Sequence, residues 1–168
     1  MRRLIALLII FAAPAAADES CSIVRQAYAP TENLETIDGE LLGRATKTID
    51  MAAYVLTSIP IVEALDRAAS RGVRVRLYRD GADVRLPRAL ADAYDRLAAR
   101  KNVEIRYKPA PAPLMHLKSY VIDGQILRDG SGNFSHGGLL RQDNSLVALR
   151  CPGVVRQFER VFEQMWRR

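Results

Sequence analysis

The chain has 168 residues, 49% of them hydrophobic, with 25 Lys and Arg against 19 Asp and Glu for a net charge of +6. That length and apolar content suit one domain with a real core, and no internal repeat or long low-complexity stretch splits it. The positive excess suits a polyanionic substrate without proving one. A cysteine–histidine zinc site is not expected, because His116 and His136 are the only histidines available.

The chain opens on the positive Met1-Arg2-Arg3, runs apolar from Leu4 to Ala13, and reaches Pro14-Ala15-Ala16-Ala17 before the polar Asp18-Glu19-Ser20. That three-part plan predicts a signal peptide over residues 1–17, cleaved after Ala17, with the mature chain 18–168 exported to the periplasm or secreted. A membrane anchor needs about 20 apolar residues, and this run is shorter. In an oxidising compartment Cys21 and Cys151 are candidates for a disulfide, the alternative being two free thiols.

Ser22 to Tyr28 reads as a first strand. Thr31 is expected to cap a helix whose apolar face is Leu34, Ile37, Leu41, Leu42 and Ala45. Thr48 to Leu56 is a mostly apolar strand of the kind covered on both faces. Ile61, Val62, Leu65, Ala68 and Ala69 then recur at helical spacing until Gly72, a helix stop. Val73, Val75 and Leu77 alternate with Arg74 and Arg76 in a strand with one polar face. A helix over 87–100 and a strand from Val103 to Tyr107 follow, then a stiff proline-alternating connector from Lys108 to Pro113. After a hairpin come a strand near Ser145 to Arg150 and a last helix with Val154, Phe158, Val161, Phe162, Met165 and Trp166 on one side. The pattern predicts a single α/β (α+β) domain, a mixed sheet flanked by helices on both faces.

The hairpin carries the chemistry. Asp123-Gly124 is the dipeptide favoured in a two-residue type I′ turn. In that register Ile122 opposes Gln125, His116 faces Ser131, and Lys118 faces Asp129. Alternation then gathers His116, Lys118, Ser131 and Asn133 on one side. An imidazole, an ammonium, a hydroxyl and an amide around one spot suit a phosphate diester. Asp123 falls off that face and is expected to be structural. Without other knowledge, His116 and Lys118 are equally readable as a solvated strand face.

His116-x-Lys118-x-x-x-x-Asp123, six residues, then Gly130-Ser131-x-Asn133 resembles the full signature of the phospholipase D superfamily. The likeness extends over most of the chain beyond residue 17, through Ile49 to Tyr54 and Arg71 to Val75. It is closest to the short, single-motif, exported bacterial endonucleases. The resemblance implies the nuclease-like fold and a phosphohistidine mechanism with no cofactor and no metal. His116 would be the nucleophile, with Lys118, Ser131 and Asn133 holding the phosphate and Asp123 and Gly130 structural. Asp143 stands where those relatives usually carry a Glu that hydrogen-bonds the histidine. Longer members carry two signatures in one chain and this one carries one, so the resemblance also implies a homodimer.

The expected substrate is nucleic acid, DNA or RNA, cut without sequence preference. Arg71, Arg74, Arg76, Arg79, Arg85 and Arg88 crowd one region, and Arg74 and Arg76 are candidate phosphate-binding residues; the plainer reading is that they solvate a strand and two loops. The alternative substrate is membrane phospholipid, with Pro111 to Met115 as an apolar rim. A non-catalytic nucleic-acid binder is the third reading.

Overall fold

A computed structural model describes residues 20–81, 86–109 and 111–168. The expected signal peptide and Arg85 lie outside the described residues. Seven strands form one sheet in the order β1-β7-β6-β5-β2-β3-β4. β2 (Thr48–Ala53), β3 (Arg74–Arg79) and β4 (Val103–Tyr107) run parallel. β5 (Lys118–Ile122), β6 (Ile126–Gly130), β7 (Asn144–Arg150) and β1 (Ser22–Ala29) extend the sheet through antiparallel pairs.

Alternation along the strands separates two apolar layers. Ile49, Met51 and Ala53 of β2 pack with α1 (Leu34–Gly43), α2 (Ile59–Ser70) and α3 (Arg88–Ala98). On the other face Ala52 and Tyr78 meet Phe162, Met165 and Trp166 of α5 (Pro152–Trp166), while Val121 and Leu127 meet Val155. Helices thus cover both faces of a mixed sheet, as the sequence pattern predicts. Among the described residues no helix is long and apolar enough to cross a membrane. Cys21 and Cys151 are disulfide-bonded, tying the start of β1 to the start of α5.

Three local expectations need correction. Asn33, not Thr31, caps α1, its side chain accepting from the Thr36 N–H at 2.9 Å. β2 ends at Ala53 rather than Leu56, because the next residues leave the sheet for other partners. Tyr54 N–H donates to the Leu117 carbonyl, and the Thr57 and Ser58 N–H groups donate to the Phe134 carbonyl. That departure draws the loop after β2 over the open end of the hairpin.

The third correction is the hairpin register. Asp123 and Gly124 both have positive φ, 54° and 64°, and Gln125 N–H donates to the Ile122 carbonyl, so the tight turn forms. The ladder beyond it, however, pairs Ile122 with Ile126 and Tyr120 with Arg128. The register is one residue away from the expected one, and Lys118 does not face Asp129. A one-residue slip exchanges the faces of every side chain on β6. The reason is packing: the slip turns Ile126 and Arg128 toward the layer holding α1 and leaves Leu127 for α5. There the Arg128 guanidinium makes two 2.8 Å hydrogen bonds to the Asp38 carboxylate, both residues being 0% exposed. The remaining acceptor capacity of Asp38 takes the Tyr120 hydroxyl, at 2.9 Å.

Candidate active site

The site lies at the C-terminal end of β2, where the antiparallel register sets Lys118 beside Ala53. Asp80 fixes the approach to it by accepting from the Met115 N–H at 2.8 Å. His116 follows, exposed, with its ring 4.5 Å from that of Tyr54. The Lys118 ammonium turns back onto the same spot. It donates to the His116 carbonyl at 2.6 Å, lies 3.0 Å from Nδ1, and sits 5.0 Å from the centre of the Tyr54 ring.

An ammonium has no lone pair and can only donate, so Nδ1 accepts in this contact. The neutral imidazole then carries its proton on Nε2, at the ring edge away from Lys118. Burial lowers the pKa of Lys118 below the usual lysine value, and the Asp129 carboxylate partly offsets this. Beneath the pair, Arg128 Nη1 donates to the Lys118 carbonyl at 2.7 Å. The buried Asp38–Arg128 pair therefore holds the backbone of the lysine.

The other expected site residues are placed less directly. With β6 in its observed register, alternation does not carry Ser131 and Asn133 to the Lys118 face; the chain turns there after Gly130. A Cβ at Gly130 would stand 2.3 Å from the Ser145 carbonyl oxygen, so only glycine fits against β7. The Ser131 hydroxyl is already engaged, donating to Asn144 Oδ1 at 2.8 Å and accepting from the Ser145 N–H at 3.0 Å. The Asn133 side chain makes no hydrogen bond within the described residues, and its Oδ1 is buried without a partner.

Asp143 is exposed and makes no hydrogen bond to His116. Its neighbour Asn144 is the residue that reaches inward, contacting Ser131 and donating to the Gly138 carbonyl at 2.9 Å. Tyr54 and Asn144 were both missed in the sequence. The signal for Tyr54 was its place just after an apolar strand.

Asp123 lies at the far end of the sheet. Its carboxylate accepts from the Thr46, Lys47 and Thr48 N–H groups and from the Thr46 hydroxyl, at 2.7–3.0 Å for the shortest contact of each. Burial raises its pKa, but those hydrogen bonds, led by the one from Thr48, outweigh it and leave the carboxyl below its usual value.

Arg74 and Arg76 are not placed to meet substrate at His116. Arg74 pairs with Thr48, at the Asp123 end of the sheet, five residues or roughly 17 Å from the site end. Arg76 points to the other face, held by Asp50 at 2.7 Å and Glu163 at 2.6 Å and stacked near Phe162 and Trp166. Arg71 is likewise engaged, donating to the carbonyls of Arg67, Gly43 and Ala45. Among the described residues no group of three or more His, Cys, Asp or Glu side chains is placed to hold a metal ion.

Comparison with known proteins bears on the family and the fold. The family described as "Cardiolipin synthase, PLD-like domain" matches residues 39–166. The chain is 25% identical over 139 residues to a mitochondrial cardiolipin hydrolase of Chlamydomonas reinhardtii, covering 83% of this chain and 59% of that protein. It thus spans little more than half the length of the curated relatives it matches. In fold it is similar to Nuc, a phospholipase D family member of Salmonella typhimurium, with a TM-score of 0.78 and 23% identity over 88% of this chain and 95% of that one. NucT of Helicobacter pylori superposes with a TM-score of 0.76 and 18% identity, over 88% and 97% of the two chains. With His116 and Lys118 side by side at one end of the sheet and three quarters of the chain's length matched, the chain belongs to the phospholipase D superfamily.

Proposed function

We propose that this protein is a metal-independent phosphodiesterase that hydrolyses nucleic-acid phosphodiester bonds through a phosphohistidine on His116. The observation that carries the reading is the exposed imidazole with the Lys118 ammonium 3.0 Å from Nδ1, inside an intact family signature.

In the resting site Lys118 donates to Nδ1. A bound phosphate gives the ammonium a better acceptor, a non-bridging oxygen, where it stabilises charge that builds in the transition state. The Asn133 amide, unpaired in the resting site, is available to donate to the same group. Freed from Lys118, the ring takes its proton on Nδ1 and presents the Nε2 lone pair to phosphorus. The Nε2–phosphorus bond forms as the bond to the leaving oxygen breaks, splitting one displacement into two easier ones. The leaving oxygen needs a proton at that moment, and the attacking ring cannot supply it. With one signature per chain, that proton comes from His116 of a second copy, which then activates the water that breaks the Nε2–phosphorus bond and releases the phosphomonoester. The working form is therefore a homodimer with its two sites meeting at a two-fold axis.

The chain's positive charge favours a polyanionic strand as the substrate. The second reading, a membrane phospholipid, is favoured by Leu114, which is 63% exposed two residues before His116, and by relatives named as cardiolipin hydrolases. Purified protein incubated with plasmid DNA in excess EDTA, beside the His116→Asn variant, tests both. Cleavage by the wild type alone is expected. No cleavage of DNA, with hydrolysis of cardiolipin vesicles instead, would overturn the nucleic-acid reading. Cleavage undiminished in the variant would overturn the role of His116.

A further inference from the structure

Arg79 ends β3 at the same edge of the sheet as the site. Its register partner on β2 is Ala53, which is also the partner of Lys118, so one row runs Lys118, Ala53, Arg79, Tyr107 across four strands. Two strand spacings separate Lys118 and Arg79, roughly 10 Å between their Cα atoms. Both fall on the face of β2 that carries Ala53.

The Arg79 side chain is unusual in its surroundings. It is 8% exposed, yet no carboxylate and no hydrogen-bond acceptor meets it among the described residues, and its Nε is buried without a partner. Among the described residues its contacts of this kind are to rings, with the guanidinium carbon 4.8 Å from the centre of Tyr94 and 5.7 Å from that of Tyr107. Among the described residues the other buried cations are bonded, Arg128 to Asp38 and Lys118 to His116, and the half-buried Arg76 is paired with Asp50 and Glu163. Ring faces compensate a desolvated cation in part, but they leave its N–H donors unsatisfied. A buried guanidinium without an anion is costly, which is the expected state of a group whose anion arrives with the substrate.

The surroundings keep this cation in place and near the reaction. The Tyr94 hydroxyl donates to the Leu56 carbonyl at 2.8 Å, in the loop that carries Tyr54 and leads from β2 to α2. Tyr107 is 54% exposed and forms the open side of the stack. A guanidinium fork fits two oxygens of one phosphate.

We propose that Arg79 is a second phosphate subsite, which binds a phosphate of the substrate strand flanking the one attacked by His116. It makes the enzyme prefer diesters that carry a neighbouring phosphate over isolated ones. The proposal rests on the nucleic-acid reading above, and its test separates the two.

The experiment compares thymidine dinucleotide, which has one phosphodiester and no other phosphate, with the same compound phosphorylated at its 5′ or 3′ end. Wild-type protein and the Arg79→Met and Arg79→Lys variants are assayed, with bis(4-nitrophenyl) phosphate as a substrate-independent check of the reaction. In the wild type one of the added phosphates is expected to raise kcat/KM by about 10–100-fold, the worth of a hydrogen-bonded charge. Arg79→Met should abolish that gain, and Arg79→Lys, lacking the fork, should keep only part of it. Because the gain is a ratio of two substrates on one preparation, a loss of folded protein cancels. The dependence of oligonucleotide cleavage on salt should also weaken by about one phosphate contact in Arg79→Met. A gain of the same size in all three proteins, or no gain in a wild type that cleaves the dinucleotide, overturns the subsite. Failure of the wild type to cleave any thymidine compound while it hydrolyses bis(4-nitrophenyl) phosphate overturns the nucleic-acid reading itself, and the subsite with it.

Discussion

At the scale of the residue, the proposed chemistry rests on one imidazole and one ammonium already in hydrogen-bond contact. Replacing His116 by Asn should lower kcat/KM by at least ~10²–10⁴-fold, the usual loss for a missing acid–base group, with the thermal melt little changed because the ring is exposed. Lys118 supplies a pH signature. Its protonated form is the one that neutralises phosphate, and burial lowers its pKa from 10.5. As pH rises through that lowered value the ammonium is lost, so activity should fall on the alkaline side below the ordinary lysine range. A pH–rate profile measured on bis(4-nitrophenyl) phosphate checks this; a flat alkaline limb up to the normal lysine pKa would contradict it.

At the scale of the element, the hairpin is held from two ends by different means. At the turn, Asp123 accepts from the three N–H groups that lead into β2, so this acid of the motif holds backbone. Asp123→Asn should cost about 1–3 kcal/mol in urea unfolding, the range for hydrogen bonds to a charged acceptor. The carboxyl's pKa is lowered on folding, so its contribution is complete above the unfolded value near 3.9 and is lost as pH falls through the lower folded one. Wild type should therefore lose stability below about pH 4 by a step that Asp123→Asn lacks. At the open end, Asp38 and Arg128 form a fully buried pair, and removing one partner strands the other. Asp38→Asn is expected to cost about 3–5 kcal/mol and to loosen the Lys118 backbone that Arg128 holds.

At the scale of the whole molecule, the proposed mechanism calls for a pair of copies, each supplying one His116. Sedimentation should give twice the mass of the chain. Mixing His116→Asn protein with wild type at constant total concentration, and allowing subunits to exchange, should leave activity proportional to the square of the wild-type fraction. Activity falling only in simple proportion would show that one chain suffices. The Cys21–Cys151 bridge closes a loop of 130 residues, and its reduction should lower stability by about 2–5 kcal/mol, seen as a drop in Tm with dithiothreitol.

Much of this was legible before any fold was known. Period-two and period-3.6 patterns located the strands and helices, and Asp123-Gly124 announced its own tight turn, because these signals are local and act within a few residues. The spacing from His116 to Asn133 pointed to the family for the same reason, as a property of one short segment. What depended on distant partners was not legible. The register of β6 was decided by Asp38, 90 residues away from Arg128, since a buried guanidinium must find its carboxylate whatever the turn alone prefers. The contact of Asn144 with Ser131, the engagement of Arg76 by Asp50 and Glu163, and the lack of a partner for Arg79 Nε among the described residues followed from packing of the same kind. A cation's role depends on which anion reaches it, and only the tertiary structure decides that.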